Sequence, residues 1–434
     1  MRVTIRRPAQ VGGDVRVPGD KSITHRAILL ASMAEGTSRI ADYLDGTDCR
    51  ATMDCVHGVG ADLTREGADL VVKGKSFRQW KEPASPLDCV RSGTTMRLLA
   101  GLVAGRPWFS VLTGDRQLLR RPMARIVDPL RSMGATIDGR ESSRLPPLAI
   151  RGGGLKGIRY ELPVASAQVK SCLLLAGLSA EGETVVVEPG VSRDHTERML
   201  RARGVPVRTN DLRHSLRGPV PEVSPLDVRV PGDFSSAAYL VAAALIGSTR
   251  GVTVRGVGVN PTRTGLVDAL TLMGATVTLE NEETAGGEPV ADLVIRREDL
   301  VAATIPRSLV PRMIDEFPVL GLIATQASGQ TLVSGAHELR VKETDRIAAL
   351  ATQLGRLGAH IEERPDGFLV EGPTQLQGAV VDSGGDHRLA MTLAVAGLVA
   401  DGETVVESAG CIVDSFPGFD QVMERLAPGA MVWG

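Results

Sequence analysis

The sequence predicts an α/β protein of two similar domains, each assembled from three copies of one small unit. Two repeats in the chain carry that prediction. The first is a punctuation mark, an amphipathic helix-like stretch closed by glycine and followed by alternating apolar residues. It occurs at Gly60 (VHGVGADL), Gly134 (LRSMGATI), Gly204 (LRARGVPV), Gly274 (LTLMGATV), Gly358 (LGRLGAHI) and, frayed, at Gly429 (ERLAPGAMV). Glycine ends a helix cheaply because it accepts left-handed backbone angles, and the alternation that follows is the signature of a half-buried strand. The marks stand 70 to 84 residues apart, too far for a solenoid repeat and suited to a small α/β subdomain.

The second repeat has a longer range. VPGDKSITHRAILLASMA at residues 17–34 returns as VPGDFSSAAYLVAAALIG at 230–247, an offset of 213 residues that also carries Gly60 to within one residue of Gly274. Later pairs drift, and the polar segment NEETAGGEP at 281–289, read as a turn-like insertion, accounts for much of the drift. The chain therefore divides into a first three-repeat domain at 18–230 and a second at 1–17 plus 231–434. The hinge is expected near 17–20 and 230–233, and two kindred domains joined there are expected to close on a central cleft.

Composition removes several functional classes. Across 434 residues, Lys+Arg of 49 and Asp+Glu of 51 nearly cancel, so no global field points to nucleic acid or an anionic membrane. Cys49, Cys55, Cys89, Cys172 and Cys411 are odd in number and lack C-x-x-C spacing, which argues for buried thiols in a reducing compartment. No apolar run reaches the length of a bilayer span and MRVTIRRPAQ has no signal-like core, so the expected location is the cytoplasm. Only seven basic residues are lysines (Lys21, Lys73, Lys75, Lys81, Lys156, Lys170, Lys342), and three of these fall in the clusters described next.

Seven short clusters carry the chemistry: PGDKSITHR (18–26), SGTTMR (92–97), LLRRP (118–122), SAQVK (166–170), SRDH (192–195), RVKETDR (340–346) and GGDHR (384–388). Several set small hydroxyl or glycine residues ahead of a helical stretch with a cation nearby. Free backbone N–H groups, the helix dipole and a side-chain charge then converge on one anion. One such cluster is an ordinary helix cap; seven in a nearly neutral chain point to several anionic groups, phosphate and carboxylate, held together. Asp315, in PRMIDEFPVLGLIA, and Glu343, between Lys342 and Arg346, are the acid–base candidates. Lys21 stands between a turn and an apolar helix, where burial and neighbouring cations are expected to ease proton transfer. Three decoys fall away. GKS at 74–76 has Asp69 where a phosphate loop needs its first glycine, HE at 337–338 lacks a second zinc histidine, and GGG at 152–154 follows no clear strand. No nucleotide, nicotinamide or metal site is indicated.

In order and spread over nearly the whole chain, PGDKSITHR, SGTTMR, SAQVK, RVKETDR and DHR resemble the EPSP synthase (3-phosphoshikimate 1-carboxyvinyltransferase) family. The resemblance implies six β-α-β-α-β-β units in two domains. It also implies transfer of the enolpyruvyl group of phosphoenolpyruvate to the 5-hydroxyl of shikimate 3-phosphate, without cofactor or metal, by a monomer. By motif match, shikimate 3-phosphate would be held by Lys21, Ser22, Arg26, Ser166, Ala167, Gln168, Arg193, Asp315 and Lys342, with Ser192 nearby. Phosphoenolpyruvate would be held by Lys21, Gly93, Arg121, Gln168, Arg346 and Arg388. Lys21, Asp315 and Glu343 would be catalytic. Arg91 replaces the family's usual asparagine, and Asp414 stands where some members have a lysine. Two other readings stay open: the sister transferase acting on UDP-N-acetylglucosamine, whose loop cysteine LTGDRQLLRRPM lacks, and a non-catalytic ligand-binding relative.

Overall fold

The computed structural model describes residues 1–247 and 249–434. The chain forms two compact units, one of residues 19–230 with 284–288, the other of 1–18, 231–283 and 289–434. The six glycines that mark the repeat all have positive φ, between 68° and 111°, and each ends a helix ahead of a strand.

In the unit built on 19–230, the first repeat runs helix Lys21–Met33, strand Gly36–Ala41, helix Thr47–Gly58, and strands Asp62–Glu66 and Asp69–Gly74. Its four-stranded sheet is completed from far along the chain by Val228–Arg229, parallel to Gly36–Ala41. The second repeat places helices Gly93–Ala104 and Ala124–Ser132 among strands Leu87–Asp88, Phe109–Thr113, Thr136–Gly139 and Leu145–Arg151. The third places helices Ala167–Gly177 and His195–Ala202 among Arg159–Glu161, Gly182–Val187, Arg208–Asn210 and Arg213–Gly218. Each of these three sheets has one outer strand paired parallel and its other pairings antiparallel.

The other unit repeats this order. Its first sheet borrows Gly13–Arg16, parallel to Val252–Gly258, and its last takes Val3–Arg6 between Glu403–Glu407 and Met431–Trp433. The middle sheet keeps three strands, its parallel strand reduced to the bridges Val301–Ser328 and Thr304–Leu332. Residues 281–289 are a hairpin rather than a polar insertion of turns. Strands Val277–Ala285 and Glu288–Ile295 are joined by Gly286 and Gly287, both at positive φ, the backbone a tight hairpin turn requires.

The leading helix of each repeat is apolar nearly all round and therefore lies inside. All eight residues of Phe317–Ala324 are buried, as are eleven of the thirteen in Lys21–Met33. Close crossing demands small residues. A Cβ on Gly101 would stand 2.2 Å from the Cys172 carbonyl oxygen, so helices Gly93–Ala104 and Ala167–Gly177 touch backbone to backbone. The second helix of each repeat is amphipathic, as its glycine-closed pattern predicts. One sequence reading is corrected: strand Leu145–Arg151 runs straight into GGG at 152–154, its pattern masked by Pro146 and Pro147. A strand at Arg159–Glu161 follows the glycines and no helix, so a dinucleotide loop stays excluded.

Candidate active site

Six of the seven sequence clusters lead directly into α-helices, and LLRRP forms a short 3-10 turn at Leu118–Arg120. Asp20 begins the first of them, its carboxylate accepting from the Ile23 N–H at 2.8 Å; Asp233, in the matching VPGD, accepts from Ser235 N at 3.1 Å. Caps of this kind satisfy backbone donors and leave the rest of the helix head for other work.

In the 19–230 unit the heads of the three apolar helices converge. Gln168 donates to Thr94 Oγ1 at 3.0 Å and accepts from Arg97, tying the second head to the third. Arg26 donates through Nε to Thr196 Oγ1 at 2.7 Å, through Nη2 to Ser171 Oγ at 2.9 Å and through Nη1 to the Ser22 carbonyl at 2.9 Å. Burial brings its guanidinium down to about 10, with Glu197, Asp20 and Glu288 opposing. Gly93 is hemmed by guanidinium groups: an added Cβ would meet Arg97 Nη1 at 3.1 Å and Arg121 Nη1 at 3.3 Å. Ser166 and Ala167 open helix Ala167–Gly177, and Arg193 lies close enough to Arg26 for their charges to repel.

Lys21 has a carboxylate beside it, which the sequence did not suggest. Its side chain is 29% exposed and its Nζ stands 3.4 Å from the Asp48 carboxylate. Asp48, which sequence reasoning missed, is held below the ordinary carboxylate range. Burial works against its charge, and Lys21 and Arg121 prevail. Beneath it His25 Nδ1 pairs with Thr52 Oγ1 at 2.7 Å, and Thr52 with Thr95 Oγ1 at 2.7 Å. Thr95 donates to Ser92 Oγ at 2.7 Å, the cap of the Gly93 helix. Burial lowers the His25 imidazole to about 3, so it is neutral. Lys21, Arg26, Arg97, Arg121 and Arg193 gather here, with the carboxylates of Asp20, Asp48, Glu197 and Glu288 among them.

The second set is internally balanced. Asp315 lies just before helix Phe317–Ala324, with Arg346 Nη1 at 3.4 Å, Arg388 Nη2 at 3.6 Å and Lys342 Nζ at 3.8 Å. Arg346, 2% exposed, also reaches Glu343 at 2.7 Å and Asp386 at 2.8 Å. Burial disfavours its charge, yet Glu343, Asp386 and Asp315 hold its titration above the usual range; Arg388 is raised likewise, against burial, by Asp315 and its neighbours. Asp386 is fully buried, and despite burial Arg346 holds it below the usual carboxylate range. It also caps helix His387–Gly397 by accepting from Arg388 N at 2.9 Å. The sequence offered its position in GGDHR as part of an anion cluster, and its role as the buried counter-ion of Arg346 went unread. Lys342, Glu343, Arg346, Arg388 and Asp315, all expected at the site, are thus one ionic group. Arg91 lies exposed in the turn before Gly93, and Asp414 ends the 3-10 turn Ala409–Asp414. Among the described residues no group of His, Cys, Asp and Glu could hold a metal ion.

Among the described residues, five sheets with a parallel edge strand and a sixth that keeps only parallel bridges, in two three-repeat units with charged helix heads gathered in each, define the enolpyruvyl transferase fold. The enolpyruvyl transferase NikO from Streptomyces tendae superposes with a TM-score of 0.79 over 98% of this chain and 97% of its own, and at 19% identity it shows the fold alone. The narrower assignment follows from closer relatives. The family model described as EPSP synthase (3-phosphoshikimate 1-carboxyvinyltransferase) matches residues 5–423. The 3-phosphoshikimate 1-carboxyvinyltransferase of Citrifermentans bemidjiense is 49% identical over 97% of this chain and 98% of its own, and that of Brevibacillus brevis 46% over 98% and 99%. The EPSP synthase structure from Acinetobacter baumannii is 42% identical with a TM-score of 0.91, covering 99% of both chains. The chain belongs to the EPSP synthase family.

Proposed function

We infer that the chain transfers the enolpyruvyl group of phosphoenolpyruvate to the 5-hydroxyl of shikimate 3-phosphate and releases phosphate. Family membership supports the reaction. The observation that carries it to particular residues is Asp315, a carboxylate surrounded by Arg346, Arg388 and Lys342 within 4 Å. Such a group has its lone pairs shared among cations until anionic substrates compete for the two arginines; it is then released beside the hydroxyl whose proton must be taken.

In the proposed assignment Ser22, Arg26, Ser166, Ala167, Gln168, Arg193 and Lys342 hold shikimate 3-phosphate, with Ser166, Ala167, Gln168 and Arg193 around its phosphate. Arg26 already spends three N–H donors on protein partners, which fixes its plane and leaves its remaining donors for a carboxylate. Gly93, Arg121, Gln168, Arg346 and Arg388 hold phosphoenolpyruvate, and Lys21 serves both. The 5-hydroxyl oxygen bonds to C2 of phosphoenolpyruvate while C3 gains a proton. Elimination then breaks the C2–phosphate bond and removes a proton from C3. Asp315 takes the hydroxyl proton, and Lys21 and Glu343 exchange the C3 proton. The protein is further proposed to act as a cytoplasmic monomer; no helix among the described residues is long and apolar enough to cross a membrane.

The test is phosphate release with each acceptor in turn. Release is expected with shikimate 3-phosphate and phosphoenolpyruvate, and release only with the UDP-sugar would overturn the reading. Lys21→Ala should lower kcat by about 10² or more, the scale of a general acid–base contribution, with the melting temperature unchanged. Normal turnover by that variant removes Lys21 from the chemistry.

A further inference from the structure

Lys170 is fully buried, yet it belongs to none of the groups assigned above. Its ammonium lies 2.6 Å from Glu188 Oε2 and 2.9 Å from Glu197 Oε1, both carboxylates about 1% exposed. His214 stands between the same two acids, at 3.1 Å from Glu188 and 3.3 Å from Glu197. Burial works against the Glu188 charge, but His214, Lys170 and Ser192 hold it below its ordinary range. With its charge answered twice, Lys170 has none to offer a substrate anion directly.

Its third contact gives it another use. Nζ donates to the Ser192 carbonyl at 3.4 Å, while the Ser192 hydroxyl donates to Glu188 Oε1. Lys170, Glu188 and Ser192 therefore close a ring. The ring grips one residue by main chain and side chain together, and the next residue is Arg193. Lys170 itself lies one turn into the helix whose first residues are Ala167 and Gln168. One residue further along that helix, Ser171 bonds Thr196 at 2.7 Å, and Arg26 donates to both. The polar seam thus runs between the helices that begin at Ala167 and His195. Buried ionic groups of this kind add little net stability against apolar replacements, so a positional role is the use such a seam best explains.

We propose that Lys170 and Glu188 are positioning residues which lock the 192–193 segment against the Ala167 helix and so set, through Arg193, the affinity for the phosphate of the acceptor; Gln168, the helix-head residue shared with phosphoenolpyruvate, is held separately by Thr94 and Arg97. The proposal rests on the assignment of Ser166 and Arg193 to that phosphate. It is tested by Glu188→Gln and Lys170→Met, with Lys170→Arg as the conservative variant. Calorimetric binding of shikimate 3-phosphate and the KM of each substrate are measured on the full chain, with melting temperature in parallel.

The expected result is a tenfold or greater weakening for shikimate 3-phosphate, a KM for phosphoenolpyruvate within twofold, and partial recovery in Lys170→Arg. Equal loss for both substrates, or no loss for either, overturns the proposal. Should Lys170→Met fail to fold, Glu188→Gln decides alone, because it keeps the volume and one acceptor. Arg193→Ala separates the two levels. If it leaves shikimate 3-phosphate binding unchanged, the phosphate assignment is wrong. If it weakens binding while Glu188→Gln does not, the positioning role is wrong.

Discussion

Asp386 offers a perturbation whose size can be worked from the structure. Replacing it by alanine removes the acceptor for Arg346 Nε at 2.8 Å, for the Arg388 N–H at 2.9 Å and for the Thr344 hydroxyl at 3.2 Å. Removing one partner of a buried ion pair costs about 3–5 kcal/mol when the other charge is left uncompensated. Here Arg346 keeps Glu343 at 2.7 Å and Asp315 at 3.4 Å, so the ion-pair loss should fall near the lower end, and the lost cap brings the total to about 3–4 kcal/mol. Urea unfolding reads that loss as a lower midpoint at constant slope. The pH dependence has a defined sign. The folded carboxyl is depressed below its unfolded value, so its contribution is fully present above about pH 4 and is lost as pH falls through the lower folded value. The variant should therefore show less stability loss on acidification below pH 4 than the parent. Because Arg346 would be free to turn toward Glu343, the KM for phosphoenolpyruvate should rise about tenfold, the effect of roughly 1.4 kcal/mol. An Asp386→Ala protein within 0.5 kcal/mol of the parent, with an unchanged KM, refutes this account of how Arg346 is held.

Three further outcomes follow from single distances. Gly93→Ala puts a methyl within 3.1 Å and 3.3 Å of two flexible guanidinium ends, so the fold should persist while the KM for phosphoenolpyruvate rises several-fold as Arg121 shifts; steady-state kinetics checks this. Gly101→Ala meets backbone at 2.2 Å instead, and should destabilise the unit by about 3 kcal/mol or more in urea, as overpacking of a rigid crossing does. His25, depressed to about 3 by burial, stays neutral while the unfolded chain protonates near pH 6.5. Its contribution is whole above pH 6.5 and is lost as pH falls toward 3, a few kcal/mol in all. His25→Gln should flatten that part of the stability profile.

The repeat was readable because each of its marks is local. Gly60, Gly134, Gly204, Gly274, Gly358 and Gly429 announce a backbone state that other residues avoid, and each adopts it. The clusters were readable for the same reason, since a helix head and its nearby cation lie within a few residues. What escaped is non-local. Val228–Arg229 is a two-residue strand recognisable only by its partner Gly36–Ala41, nearly two hundred positions away. Asp48 reaches Lys21 from the next helix, and Asp386 matters because Arg346 arrives from elsewhere. The hairpin at 277–295 misled because its first strand, announced after Gly274, runs on through charged and exposed residues, so the alternation gave no sign that it continued to the turn.

The exchange of strands between distant parts of the chain has a bearing on how the molecule is made. Val3–Arg6 occupies an inner place in its sheet, yet both neighbours, Glu403–Glu407 and Met431–Trp433, emerge from the ribosome some four hundred residues later. Gly13–Arg16 likewise waits for Val252–Gly258. During synthesis the unit of 19–230 can consolidate while this earlier segment stays unpaired, and its apolar Val3 and Ile5 find shelter only after the strands at 403–407 and 431–433 have been made.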